Sequence, residues 1–337
     1  MKVMVYVPNW IGDAVMAIPM VQETRRVYPD AELTVFGRNW VAPVFSYLVG
    51  IDSVISFSRE EIKTRRTKRT IIRNLREGDY DKVYLLPDSF STAWVMFHAR
   101  VRERIGYTGE LRSWMLTERT PRRTGKTMHR SDKYMHLLQD RENALNYGAA
   151  PRFETLKQNR ETLPEEWDPG KTHIGLNPNA VATSRRYPIP YWIRLMNRIS
   201  DDSRQFILFG GPGDTGRAEE ILAGTTADVI DLTGKCSLET SIHHISCCDL
   251  FITNDSGLMH VSDAAGVPTL ALCGAADLTE TGLRNPYSRH LNAEVYCSPC
   301  VKNHCINRES PLLCLHELPP ELVRSEAEYF LTNKQFR

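Results

Sequence analysis

The sequence predicts an α/β protein of two consecutive parallel-sheet domains, and three observations carry that expectation. At 337 residues the chain is longer than one typical domain and suits two of about 150 residues each. Short apolar runs alternate with helical patterns, as in a parallel sheet covered by helices on both faces. The alternation stops between Pro151 and Lys171, where Pro164, Glu165, Glu166, Asp168, Pro169 and Gly170 cluster, and then restarts. Proline and charge in such a cluster mark a linker. The expected organisation is a first domain over residues 1–155, a linker over 156–171, a second domain over 172–318 and a terminal helix over 319–337.

In the first half, Met1 to Pro8 reads as a buried strand and Ala14 to Tyr28 as the helix after it. Glu32 to Phe36 and Ser53 to Phe57 are the next strands. A charged helical stretch runs to Arg76, and Lys82 to Pro87 is a further strand. Trp94 to Arg100 suits a helix, Arg104 to Tyr107 a short strand, Pro121 to Lys126 a loop, and Met128 to Asn146 a closing helix. In the second half, strands are expected at His173 to Asn177, Gln205 to Gly210, Val229 to Leu232, Leu250 to Thr253 and Thr269 to Cys273. Helices are expected at Pro190 to Ile199, Arg217 to Ala223, Leu238 to Cys247 and His260 to Ala265. Pro320 to Leu331 opens with proline and glutamate, a helix start.

Apolar residues make up 42% and charged residues 25%, the balance of an ordinary globular protein. No apolar run reaches the roughly 18 residues of a membrane span. The first ten residues enter a strand pattern without the three-part form of a cleavable signal, so a cytoplasmic location is expected. A net charge of +1 gives no nucleic-acid signature. Charge is nonetheless uneven: Glu60 to Lys133 holds 18 Lys/Arg against 10 Asp/Glu, an excess of +8 that leaves −7 elsewhere. Such a field suits an anionic substrate or anionic headgroups, and equally a solvated helix face with a basic loop. All eight cysteines follow residue 235. Cys236, Cys247, Cys248 and Cys273 read as buried thiols. Cys297, Cys300, Cys305 and Cys314 form a C-x2-C-x4-C-x8-C array in which only one half of a zinc knuckle is present. Reduced thiols are the first reading, with a metal left open.

Four segments hold residue types suited to chemistry. Asn9-Trp10-Ile11-Gly12-Asp13 follows the first strand, in the region where open α/β sheets bind ligands. Gly12 permits a tight turn, and Asp13 stands at a helix start, where it is either a capping residue or a general base. Thr253 to His260 likewise joins a strand to a helix whose free N–H groups suit a phosphate. There Asp255 can accept from sugar hydroxyls, Ser256 can donate to phosphate, and Gly257 leaves room for close approach. Ser256 and His260 stand four apart on one helical face. Asn177 to Ala180, followed by Ser184-Arg185-Arg186-Tyr187-Pro188, offers guanidinium groups for a diphosphate or is a charged surface loop. Gly211, Gly213 and Gly216 match G-x-G-x-x-G, with Asp231 about 18 residues after Gly213. Pro212 removes a backbone donor, and the match follows the second strand of its domain rather than the first, so a nicotinamide-dependent oxidoreductase is the lesser reading.

Taken together, Trp10-Ile11-Gly12-Asp13 with Pro19, Leu85-Leu86-Pro87-Asp88-Ser89, Arg104-Ile105-Gly106-Tyr107 and above all Asn254-Asp255-Ser256-Gly257-Leu258-Met259-His260 resemble glycosyltransferase family 9, the ADP-heptose:lipopolysaccharide heptosyltransferases. The last segment matches the family's D-[ST]-G-x-x-H pattern. The resemblance runs from Met1 to about Val323 and includes the cysteine-bearing tail. It implies a GT-B fold of two facing Rossmann-like domains, with the acceptor on the first and the nucleotide-sugar on the second. It implies Asp13 as the base, with Trp10, Gly12, Asp88 and Ser89 on the acceptor side. Asn177, Arg185, Asp255, Ser256, Gly257, Leu258 and His260 are then the donor-binding residues. Asn179 departs from a common Gly and Tyr187 from a common Trp, while Arg185 stands for a usual Lys and keeps the positive charge.

The resemblance implies transfer of heptose from ADP-heptose with inversion, onto the first heptose of a lipid A–Kdo–heptose acceptor at the inner face of the inner membrane. No Asp-x-Asp pair lies at the end of a strand, so a reaction without metal or other cofactor is expected, as is the absence of a nucleic-acid partner or transmembrane segment. A different glycan or protein acceptor, and a non-catalytic nucleotide-sugar binder, are the alternatives.

Overall fold

Strands that read as continuous apolar runs are buried on both faces, as a parallel sheet under two helical layers requires. In the first unit, Met1–Thr155, the strands are β1 Lys2–Tyr6, β2 Glu32–Arg38, β3 Ser53–Phe57, β4 Lys82–Leu85, β5 Glu103–Tyr107 and β6 Glu118–Thr120. Their order is β3-β2-β1-β4-β5-β6, all parallel. The second unit, Leu156–Arg337, holds β7 Thr172–Asn177, β8 Arg204–Leu208, β9 Val229–Asp231, β10 Leu250–Asn254, β11 Thr269–Cys273 and β12 Ser288–Asn292. They run parallel in the order β12-β11-β10-β7-β8-β9. Counted from its own first strand, this sheet repeats the order of the other. The computed structural model describes residues 1–121, 127–138, 145–158 and 162–333.

Strand order reverses between β1 and β4 in one sheet and between β7 and β10 in the other. Open α/β sheets bind ligands beyond the carboxyl ends of the strands at such a reversal. The loops after β1, β4, β7 and β10 are therefore where sites belong, and packing fixes these strands firmly. Tyr6 meets Phe36 edge-on at 4.8 Å between ring centroids, in a core with Met4, Val83, Leu85 and Met96. The second core gathers Ile174, Leu176, Trp192, Phe206 and Ile252, and the terminal helix Pro320–Thr332 adds Val323, Ala327 and Phe330 to it.

Several elements differ from the sequence expectation. The helix expected at Ala14 to Tyr28 is two, Ile11–Met16 and Ile18–Val27, because Pro19 cannot donate an N–H to a continuous helix. The charged stretch is likewise two helices, Arg59–Lys63 and Arg65–Glu77, and Thr64 caps the second through the Thr67 N–H at 3.2 Å. The helix expected from Trp94 begins at Phe90, where Ser89 caps it; the one expected from His260 begins at Gly257. β6 and β12 were not expected. Of the helix expected at Met128 to Asn146, Arg130–Met135 is observed and 139–144 lie outside the described residues, as do 122–126 of the loop before it. Trp167 of the linker is buried and stacks on His173 at 4.4 Å, so this segment is pinned to the second sheet. Among the described residues, no helix is long and apolar enough to cross a membrane.

Candidate active site

At the strand reversal of the first unit, the loop after β1 leads into the helix Ile11–Met16. Trp10, 64% exposed, is the N-cap, and its carbonyl accepts from the Ala14 N–H at 2.8 Å. Asp13 therefore lies in the first turn of the helix rather than capping it, and Gly12 is a buried helical residue rather than the turn. The Asp13 carboxylate faces Arg130 at 3.9 Å. Arg130 also hydrogen-bonds the buried Tyr134 phenol, which burial pushes well above its usual range and the Asp13 charge pushes further. Sequence reasoning did not single out Arg130; its only signal was membership of the basic segment.

The loop after β4, beside β1 in the sheet, carries Asp88 and Ser89. Lys133 Nζ donates to Asp88 at 3.0 Å, and the fully buried Arg112 stands 3.6 Å from it. Arg112 in turn donates to the Tyr107 carbonyl at 2.9 Å and the Pro87 carbonyl at 2.5 Å. Asp88 is thus the anionic centre of a braced loop, while Ser89 starts a helix. Arg112 and Lys133 were missed because they lie 24 and 45 residues from Asp88, beyond the reach of any local motif.

In the second unit, the loops after β7 and β10 meet at the corresponding reversal. Asn177, at the end of β7, donates to Thr253 Oγ1 at 3.0 Å and to Ser256 Oγ at 2.6 Å. Because Ser256 accepts there, its own hydrogen is directed elsewhere and can be donated. Ser256 is the N-cap of the helix Gly257–Ala264 but makes no side-chain cap bond, leaving first-turn N–H groups for a ligand. Arg185 Nη1 stands 3.1 Å from Asp255 Oδ2, and the carboxylate is only 3% exposed. Burial pushes the Asp255 carboxyl up from its ordinary range, and Arg185 pulls it partly back. His260 is buried in the same helix, and Leu258 is half-buried.

Two further residues hold this geometry. Asn254, fully buried, donates to the Pro178 carbonyl at 2.6 Å and accepts from the Tyr187 N–H at 3.1 Å, clamping both ends of the Arg185 loop. Ser184 donates to the Lys302 carbonyl at 2.5 Å and takes its N–H to the Asn303 carbonyl at 3.2 Å, so the cysteine-bearing loop buttresses the same turn. Asn254→Ala leaves the buried Tyr187 N–H unpaired, at a cost of about 1–3 kcal/mol, while the Pro178 carbonyl keeps its bond from Arg217 at 3.2 Å. The midpoint of urea unfolding should fall accordingly, and a midpoint equal to that of the parent chain would show that the clamp is dispensable.

Gly211, Gly213 and Gly216 do not form a dinucleotide loop. They follow β8, away from the strand reversal, and a side chain at Gly213 or Gly216 would meet open space. The third glycine of that motif serves close packing of the helix on its strand, and no such packing surrounds Gly216. All eight cysteines are free, and Cys236 and Cys247 are half-buried rather than buried. Among the described residues, no group of three or more His, Cys, Asp or Glu side chains is placed to hold a metal ion.

Comparisons with known proteins converge on one family. The model of glycosyltransferase family 9 (heptosyltransferase) matches residues 68–310. The chain is 30% identical over 295 residues to the lipopolysaccharide heptosyltransferase 2 of Escherichia coli K12, covering 81% of this chain and 83% of that one. It is 27% identical to the lipooligosaccharide heptosyltransferase 2 of Campylobacter jejuni, over 99% of both. The solved structure of the E. coli ADP-heptose lipopolysaccharide heptosyltransferase II superposes with a TM-score of 0.82 at 26% identity, covering 98% of each chain, and assigns the GT-B fold class. The chain belongs to glycosyltransferase family 9, the heptosyltransferases.

Proposed function

We propose that this chain transfers heptose from ADP-heptose to the first heptose of the lipopolysaccharide inner core, with inversion at the anomeric carbon. The observation that carries the reading is the pairing of Arg185 with the buried Asp255 carboxylate at the start of the helix Gly257–Ala264. It is an arrangement suited to a diphosphate, in a chain akin along its length to proteins named for ADP-heptose and lipopolysaccharide.

In this reading an acceptor hydroxyl attacks the anomeric carbon from the face opposite the diphosphate. The new C–O bond forms as the bond to the diphosphate breaks, and the electron pair leaves with ADP. Asp13 takes the hydroxyl proton, with Trp10, Gly12, Asp88 and Ser89 shaping the acceptor side. Arg185, the Ser256 hydroxyl and the N–H groups from Gly257 onward stabilise charge building on the leaving diphosphate. Asn177 orients Ser256, while Asp255, Leu258 and His260 border the sugar and phosphates. Guanidinium and backbone dipoles do the work a cation would otherwise do, so no cofactor is required. The acceptor is lipid-anchored, which puts the enzyme peripherally at the cytoplasmic face of the inner membrane.

A donor screen read by mass spectrometry, using lipid A core fragments with and without the first heptose, tests the proposal. Product is expected with ADP-heptose and the heptosylated fragment alone. Product only with the non-heptosylated fragment moves the acceptor one sugar inward. Binding of ADP-heptose without product from any acceptor leaves a non-catalytic binder.

A further inference from the structure

On the first unit, the helix Arg65–Glu77 packs beside the helix Phe90–His98. Lys68 Nζ lies over the Trp94 ring at 4.1 Å, and Arg76 donates to the His98 carbonyl at 2.7 Å. Ile72 and Leu75 are its buried stripe. Arg65, Arg66, Arg69, Arg73 and Arg76 are exposed, and at 3.6 residues per turn they spread over an arc of roughly 100° beside that stripe. The helix holds six cations and one anion, Glu77, which stands 3.9 Å from Arg73.

Half-buried and exposed ring side chains continue from Trp94. Trp94 and His98 rings lie 4.0 Å apart, Phe97 meets His98 at 5.4 Å, and Phe97 meets Trp114 at 5.2 Å, with the Arg104 guanidinium over the Phe97 ring at 5.5 Å. Trp114 is 59% exposed and Phe97 37%. Four and three residues before Trp114, Glu110 and Leu111 have φ of 46° and 56°. This strained turn leaves Leu111 86% exposed. Strain held at a surface position, with the apolar side chain turned into water, is unfavourable unless something covers it.

We infer that this strip docks the protein on an anionic bilayer surface. Arginines beside exposed tryptophan, phenylalanine and leucine match the two layers of such a surface, phosphate-bearing headgroups above and acyl chains below. A protein partner with an acidic rim would need a complementary apolar concavity, whereas a bilayer takes up isolated protruding side chains. The inference deepens the proposed use of a lipid-anchored acceptor, but its test needs no transfer reaction, so the two can fail separately.

The experiment is co-sedimentation of the full chain with phosphatidylcholine vesicles, with and without phosphatidylglycerol. Binding is expected to the anionic vesicles only and to weaken as salt rises. Arg69→Gln with Arg73→Gln should weaken it roughly 30-fold, about fivefold per arginine. Leu111→Ser with Trp114→Ser should also weaken it, while both double variants keep transfer onto a water-soluble core fragment. Equal binding to neutral and anionic vesicles, no binding, or variants that bind like the parent would each overturn the proposal. So would a dimer in sedimentation velocity that the Leu111→Ser, Trp114→Ser variant abolishes, since the strip would then be an interface between copies.

Discussion

Asp13→Asn is expected to lower turnover by about 10²–10⁴ while leaving ADP affinity and thermal stability near those of the parent. Asparagine keeps the size and one carbonyl oxygen of the carboxylate but cannot take a proton. The geometry removes the usual alternative explanation for such a loss. Trp10, not Asp13, is the N-cap of the helix Ile11–Met16, and the first-turn position contributes dipole stabilisation of about 0.3–1 kcal/mol beside the 3.9 Å contact with Arg130. A fall in rate cannot then be laid to fraying of that helix. Turnover with a water-soluble acceptor, ADP binding by calorimetry and the thermal midpoint separate the outcomes. Near-full turnover in the variant removes Asp13 from the chemistry, and a matching loss of ADP affinity makes it a structural residue instead.

The fold was legible where burial left a simple pattern. β1, β4, β7, β10 and β11 lie under helices on both faces, so each had to be an apolar run that stands out from its neighbours. β6 and β12 escaped because they are edge strands. Glu118-Arg119-Thr120 and Ser288-Arg289-His290-Leu291-Asn292 carry polar side chains that guard an edge and erase the hydrophobic signal. Glu103 at the start of β5 and Phe90 at the start of its helix show the smaller kind of error. There a ladder hydrogen bond or a serine cap extends an element past the point where side-chain pattern ends.

The candidate site was legible to the extent that its residues are adjacent in the chain. Asn254 to His260 form one strand end and one helix start, so a motif contains them whole. What the motif could not contain is the support. Arg130 faces Asp13 from 117 residues away, and Asn254 clamps Tyr187 from 67 residues away. These pairings arise only once the sheets have brought their loops together, and no local spacing encodes them. The same limit applies to Gly211 to Gly216, where the place of the match after the second strand of its domain already made the dinucleotide reading the lesser one. The spacing is right, but its meaning depends on which strand it follows and on how closely a ligand approaches.

Arg185→Ala is expected to cost both transfer and stability, and the two losses can be pulled apart. Removing the guanidinium takes a donor from the developing diphosphate charge, a loss of about 10²–10³ in kcat. It also strands Asp255, which is 3% exposed, without its partner. Breaking a buried pair costs roughly 3–5 kcal/mol; Arg185 is 29% exposed, so about 2–3 kcal/mol is expected. The pH dependence follows from the raised carboxyl. Burial puts the folded-state pKa of Asp255 above its unfolded value, so the stability this group contributes is fully present below the unfolded value. It is lost as pH rises through the folded one. Without Arg185 the carboxyl is pushed higher still, and the instability of the variant should grow from acid toward neutral pH in thermal unfolding. Asp255→Asn in the same chain removes the stranded charge and should return the lost stability, with the pH dependence gone. Transfer should stay low, because the diphosphate still lacks its guanidinium. If the double variant regained transfer as well, Arg185 would serve only to neutralise Asp255, and another group would have to carry the leaving diphosphate.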